Sequence, residues 1–276
     1  MESYDFYLCT RLSVRLKVLS SPMTFTDQLL IYLKRVSQEC IAGLSLDCII
    51  FGFHNTKLKV LLLRWKGTGE WCLPGGFIYK TESVDDAAER VLRERTGLSQ
   101  LFLQQFHLFG DAVRYNQNDT WQRLNIAINM DGSWPERTIS VGYYALVDYT
   151  KVIPAADFMS DECRWWEVGD LPSLLYDHQY IIEVALKTLR LQLNWQPIGL
   201  NLMPEKFTIP DLQRLYEAVM GRLLDARNFH KKMMGINILT RLDERRTGGA
   251  HKSPYLYQFD EENYQKALVN GNLNFV

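Results

Sequence analysis

The stretch "GGFIYKTESVDDAAERVLRERTGL", residues 75–98, decides how the chain is read. Val84, Ala87, Ala88, Val91 and Leu92 recur at the spacing of one helical face, Ser83 and Asp86 form an N-terminal cap, and Gly97 lies just past the end. An amphipathic helix over Ser83–Arg95 follows. Its outline suits phosphate chemistry, because cleaving a linked diphosphate requires a divalent metal and a helix converges carboxylates at i, i+3 and i+4. At that spacing stand Val91, Glu94 and Arg95. One carboxylate seldom holds such an ion unaided, and a neighbouring guanidinium repels it.

Working outward, a helix is expected around Phe25–Gln38, and Leu46–Phe53 and Leu58–Trp65 form a strand pair about the polar turn "HNTK". Strand-like runs follow at Leu101–Phe109, Leu124–Asn129, Thr138–Val147 and Arg164–Val168. A second long helix is expected over Asp177–Leu193, carrying Ile181, Ile182, Ala185, Leu186 and Leu189. This is a mixed α/β layer. The stretch "NWQPIGLNLMPEK" then changes the texture and marks a boundary, giving units 23–195 and 196–276 after a loose tail at 1–22, where Met23 is a possible start.

The 276 residues are 47% hydrophobic and 23% charged, with 31 Lys and Arg against 32 Asp and Glu. That describes a soluble chain with no overall field for nucleic acid or acidic partners, so any basic patch is local. Five cysteines without metal or redox spacing point to a reducing cytoplasm, and no run reaches the length of a membrane helix.

The second unit opens with Thr208 and Asp211 as a capping pair, then Leu212, Leu215, Tyr216, Val219 and Met220 on one face until Gly221. A short helix over Asp225–Met234 and two strand-like pieces about a basic glycine-rich loop complete the order of a winged helix. Residues 222–252 carry eight basic and three acidic side chains, a net +5 hidden in a neutral chain. In a helix-turn-helix the second helix enters the major groove with its first residues at the base edges. Arg227, Asn228 and His230 are candidates for bases, Lys231 and Lys232 for phosphates, and Arg245, Arg246, His251 or Lys252 for the wing. The plainer reading is a solvated charged face with a flexible loop.

Gly76, Glu82, Arg90, Glu94, Gly97 and Leu98 fall at the spacing of the Nudix box, and the resemblance to a Nudix fold spans about residues 44–170 with its "WCLPGG" lead-in. On that pattern Val91 and Arg95 replace two carboxylates. Joined to "PIGLNLMPEKFTIPDLQRLYEAV" and "RNFHKKM", the chain resembles the Nudix-related transcriptional regulators, especially the arabinose-responsive sugar-utilisation branch of gut bacteria. The resemblance implies an α/β (α+β) Nudix domain that senses a sugar or an ADP-ribose-like nucleotide, a winged helix on operator DNA, and a cytoplasmic homodimer that needs no cofactor. The candidate effector pocket is Arg90, Glu94, Arg95, Arg114 and Trp121, with Arg95 equally able to pair with an acidic neighbour.

Between Gly110 and Pro135 the chain is longer than that pattern, with Tyr115, Asn116 and Arg123 beside Arg114 and Trp121. It fits a ligand contact, a hairpin at a dimer interface, or an inert insertion. The rival to a regulator is an active Nudix pyrophosphohydrolase using Mg²⁺ held from outside the box; a third reading is a protein-binding scaffold.

Overall fold

The computed structural model describes residues 23–99, 101–114, 122, 135, 137–152, 154–193, 195–247 and 253–270. The tail at 1–22, the strand expected at Leu124–Asn129 and the candidates Trp121, His251 and Lys252 lie outside these residues.

Helix α1 (Phe25–Glu39) starts from a capping box in which Thr24 and Asp27 exchange hydrogen bonds. It runs into a long strand, β1 (Cys40–His54), which turns back as β2 (Lys57–Trp65). The turn works because Asn55 and Thr56 adopt φ of 50° and 63°, the left-handed pair whose twist matches the flanking strands. Two short strands, β3 (Trp71–Cys72) and β4 (Gly75–Tyr79), lead to helix α2 (Val84–Thr96). Strands β5 (Gln104–Phe109), β6 (Ile139–Val147) and β7 (Ser160–Glu167) and helix α3 (His178–Gln192) complete this layer structure.

The sheet runs β3-β2-β1-β6-β5, with β4 also on β1 and β7 also on β2. Its centre is the parallel pair of β1 and β6, in register from Leu44–Ile139 to Gly52–Val147. Both faces are covered, so residues 46–52 are all buried, as a central parallel strand requires. Leu46 and Cys48 pack toward α2 with Ala87, Ala88 and Val91, while Ile49 and Phe51 share a core with Ile181, Ile182 and Ala185 of α3. The site is set by one exception: a carboxylate, Asp47, is buried in this apolar strand.

The C-terminal part has α4 (Ile209–Met220), α5 (Ala226–Ile236), the hairpin β8 (Leu239–Arg245) and β9 (Tyr255–Phe259), and α6 (Glu261–Asn270). Phe207 adds a single β-bridge to this hairpin, exchanging backbone hydrogen bonds with Tyr257 at 3.0 and 2.7 Å. Helix α6 was not expected; it docks through buried Tyr264, whose hydroxyl donates to the Pro197 carbonyl at 2.6 Å. The stretch expected to separate two units is partly buried. Pro197, Ile198, Gly199, Leu202 and Met203 are covered, and one apolar cluster runs from Phe51 and Val60 through Leu193 and Ile198 to Leu215 and Val219.

Candidate functional site

A cavity of about 140 Å³ lies between β1, β4 and the start of α3, roofed by Leu29, Tyr32 and Leu33 of α1. The buried acid of β1 organises its polar wall. Asp47 Oδ2 accepts a hydrogen bond from Ser140 Oγ at 2.6 Å, and Oδ1 lies 3.4 Å from His178 Nε2. His178 Nδ1 accepts the Leu73 N–H at 3.0 Å, which places the ring proton on Nε2, facing Asp47. Burial lowers the His178 pKa, with Asp47 pulling the other way, so the ring is neutral.

Arg114 closes the same wall. Its Nε and Nη2 donate to Asp177 at 2.7 and 2.8 Å, Nη2 stands 4.0 Å from Asp47, and Nη1 reaches the Thr138 carbonyl at 3.4 Å. Asp177 occupies the N-cap position of α3 but makes no capping hydrogen bond with its side chain, because Arg114 holds the carboxylate. Two carboxylates, one guanidinium and a neutral imidazole thus meet at one helix terminus. Of these, Asp47, Arg114 and His178 line the cavity and Asp177 backs Arg114, so the wall offers a carboxylate acceptor beside a guanidinium donor.

Arg95 lines the opposite side and is 7% exposed. Its Nη1 pairs with Asp157, whose Oδ1 also holds the Met159 and Ser160 N–H groups at 3.1 and 2.8 Å. Among the described residues, Arg95 Nε is buried with no hydrogen-bond partner. Arg95 thus faces the cavity, and the acid that holds it comes from a distant loop rather than from a neighbour on the helix surface.

Arg90 and Glu94 do not line the cavity, contrary to expectation. Arg90 donates to both Glu82 oxygens at 2.9 and 2.6 Å, to Glu94 at 3.0 Å and to the Phe77 carbonyl at 2.8 Å, and its guanidinium lies 4.0 Å from the centre of the Tyr79 ring. The Glu82 pair, only 14% exposed on each side, draws Arg90 to the loop ahead of the helix, and Glu94 follows it outward. Burial would raise the Glu82 pKa, but the Arg90 bonds and the Tyr79 N–H hold it below its usual value. Glu82 and Arg90 therefore fasten the loop to α2. Gly76 is needed there because a Cβ would stand 2.8 Å from Val91 Cγ2.

The box helix implies a divalent cation, and its donors do not fit one. Val91 is buried under Gly76, Glu94 turns to Arg90, and the group at 95 is a cation. Among the described residues no group of three or more His, Cys, Asp or Glu side chains converges as a metal would need.

On α5, Phe229 and Met233 are buried one turn apart, and Arg227, Asn228, His230, Lys231 and Lys232 are exposed. Asp225 caps the helix by accepting the Asn228 N–H at 2.8 Å. In the wing, Arg245 is exposed and lies 3.8 Å from the centre of the Tyr255 ring, while Arg246 is tied to Asp211 of α4 at 3.1 and 2.5 Å.

The Nudix domain model matches residues 43–185, more than half of the chain. The chain belongs to the Nudix family. A second model, the NrtR DNA-binding winged helix domain, matches residues 199–259. This Nudix protein is 25% identical over 228 residues to the ADPR responsive transcriptional repressor NtrR of Acinetobacter baylyi, covering 80% of this chain and 83% of that protein. Shewanella oneidensis NrtR complexed with a 27mer DNA is similar at 25% identity and TM-score 0.62, over 80% of this chain and 95% of that one. A MutT/nudix family protein from Enterococcus faecalis, 21% identical with TM-score 0.59 over 86% and 96% of the two chains, shares the fold. The protein is thus a Nudix fold followed by a C-terminal winged helix, homologous to the ADP-ribose-responsive NrtR repressors.

Asp47, Asp177, His178, Thr138 and the α1 roof were not anticipated as site residues. The available signal was Asp47 itself, an acid inside the apolar run "LSLDCIIFGF".

Proposed function

We propose that this Nudix protein is a ligand-responsive transcriptional regulator that binds operator DNA through α5 and the wing and carries no Nudix hydrolase activity. The observation that carries the reading is the exposed basic face of α5, seated on Phe229 and Met233 within the part that matches the NrtR winged helix. In this reading Arg227, Asn228 and His230 take base edges, and Lys231, Lys232 and Arg245 take phosphates. A homodimer in the cytoplasm would present two such helices to a palindromic site.

The cavity is the effector site, with Arg95, Arg114 and His178 as its contacts. The effector is an ADP-ribose-like nucleotide, which the A. baylyi relative's description supports, or a sugar, which suits a cavity near the ring-sized ~150 Å³ that a benzene fills. A ligand changes DNA affinity only by binding two states unequally, so occupancy shifts the protein between two dimer geometries. Hydrolysis would need carboxylates where Val91 and Arg95 stand.

Fluorescence anisotropy tests this with DNA from upstream of the protein's own gene, with and without ADP-ribose, L-arabinose and xylose. The expected result is salt-sensitive, sequence-specific binding that one ligand class weakens or strengthens. Metal-dependent phosphate release without DNA binding would reverse the assignment.

A further inference from the structure

The cavity wall and the recognition helix are joined by one rigid element. Helix α3 begins at the wall: Asp177 precedes it and His178 is its first residue. Its 15 residues span about 22 Å at 1.5 Å per residue. At the far end Arg190 Nε donates to the Val219 carbonyl at 2.7 Å.

Val219 stands in the last turn of α4, where carbonyls lack helical partners and the dipole is negative. A guanidinium satisfies that carbonyl and complements the dipole together. The fit is tight, because a Cβ on Gly221, whose φ is 69°, would stand 3.3 Å from Arg190 Nη2. The same turn leads directly into α5. Glu217 Oε1 accepts the Leu224 N–H at 2.9 Å, Gln213 Nε2 donates to the Leu224 carbonyl at 3.0 Å, and Asp225 then caps α5.

Strand β2 also reaches both regions, through Trp65 at the cavity and an apolar face under α4. It is hydrogen-bonded to β1, β3 and β7, so sliding it would break ladders on both sides. Helix α3 lies on the sheet mainly through Ile181, Ile182, Ala185 and Leu189, apolar contacts that are non-directional and tolerate small shifts, with one polar tie from the Tyr144 hydroxyl to Gln192 at its end.

We propose that α3 is the strut that transmits the state of the cavity to the recognition helix, with Arg190 as its coupling residue. This rests on the effector and DNA roles given to the cavity and to α5. Rearranging the Arg114–Asp177 pair releases the start of α3, and Arg190 passes the shift to the end of α4 and the cap of α5. Arg190 touches neither ligand nor DNA; it positions α4.

The test compares the full chain with Asp177→Asn, Arg190→Met and the double variant. Backbone amide exchange is followed across residues 217–228, with affinity for the upstream DNA fragment as a second readout. Asp177→Asn is expected to speed exchange there about fivefold or more, the low end of ordinary coupling between sites. Arg190→Met sets its own local baseline, and on that background Asp177→Asn should change residues 217–228 less than twofold while still loosening 110–114. Arg190→Lys, which keeps a donor, should restore part of the transmission. The strut is refuted if Asp177→Asn leaves 217–228 unchanged, or has the same effect with Arg190 and with Met. Exchange coupling in a protein that binds no DNA would instead refute the regulator and leave the strut intact.

Discussion

Val91→Glu restores a box carboxylate, and the structure says what that costs. Val91 is 2% exposed among Leu46, Cys48, Ile78, Val141 and Tyr143, with its methyl groups against Gly76. None of these neighbours carries a positive charge, and the Tyr143 hydroxyl is already engaged with Asp85 at 2.6 Å, so the new group stays protonated in the folded protein. Holding a carboxyl of ordinary pKa about 4.3 neutral at pH 7 costs about 4 kcal/mol, at 1.36 kcal/mol per unit. Overpacking adds about 1 to 3 kcal/mol.

The sign of the pH dependence follows. A carboxyl whose folded pKa is raised is protonated in both states at low pH, so its penalty vanishes there and grows as pH rises through the ordinary value. The deficit against wild type should therefore shrink by about 2.7 kcal/mol between pH 7 and pH 5. Urea unfolding at the two pH values measures it, and Val91→Gln, which carries only the steric part, should show no such slope. A Val91→Glu protein as stable as wild type at pH 7, or one whose Tm rises with Mg²⁺, would refute this and reveal a latent metal face.

Arg227→Ala should weaken specific DNA binding by about 1 to 3 kcal/mol, and Lys231→Ala should lower the salt slope by about one unit without changing sequence preference, both read by anisotropy titrations. Gly76→Ala should destabilise by about 1 to 3 kcal/mol through its collision with Val91, and adding Val91→Ala should relieve part of that in thermal melts. His178 has a lowered pKa, so the unfolded chain binds its proton first and stability should fall as pH drops below 6.5; His178→Asn should flatten the slope between pH 6.5 and pH 5 in urea titrations.

The box helix was legible because its signals are local. Ser83, the apolar stripe and Gly97 lie within one helix length, and the structure returns them as a cap accepting the Asp86 N–H, a buried face and a left-handed C-cap with φ of 73°. The winged helix was legible for the same reason, down to the Thr208–Asp211 capping box. Helix α6 was missed although Asp260 and the acidic Glu261 and Glu262 mark its start. Its apolar signal is weak, and what fixes it is Tyr264 reaching back 67 residues to Pro197.

The candidate site shows the limit more sharply. The resemblance put Arg90, Glu94 and Arg95 together as pocket residues, but helix spacing fixes only which face of a helix each residue occupies. Which face meets the cavity is decided by partners elsewhere: Glu82 draws Arg90 and Glu94 outward, and Asp157, 62 residues on, holds Arg95 inward. Asp47, Arg114 and His178 come from a strand, a loop and a helix start, separated by 67 and 64 residues of chain. No periodicity links them. What betrays them is the desolvation cost of a carboxylate in a doubly covered strand, which persists only where polar partners are brought to it. Asp47 has Ser140, His178 and Arg114 around it. A buried acid in the central strand is thus the most economical pointer to the cavity, because the fold must assemble a polar wall wherever that acid lies.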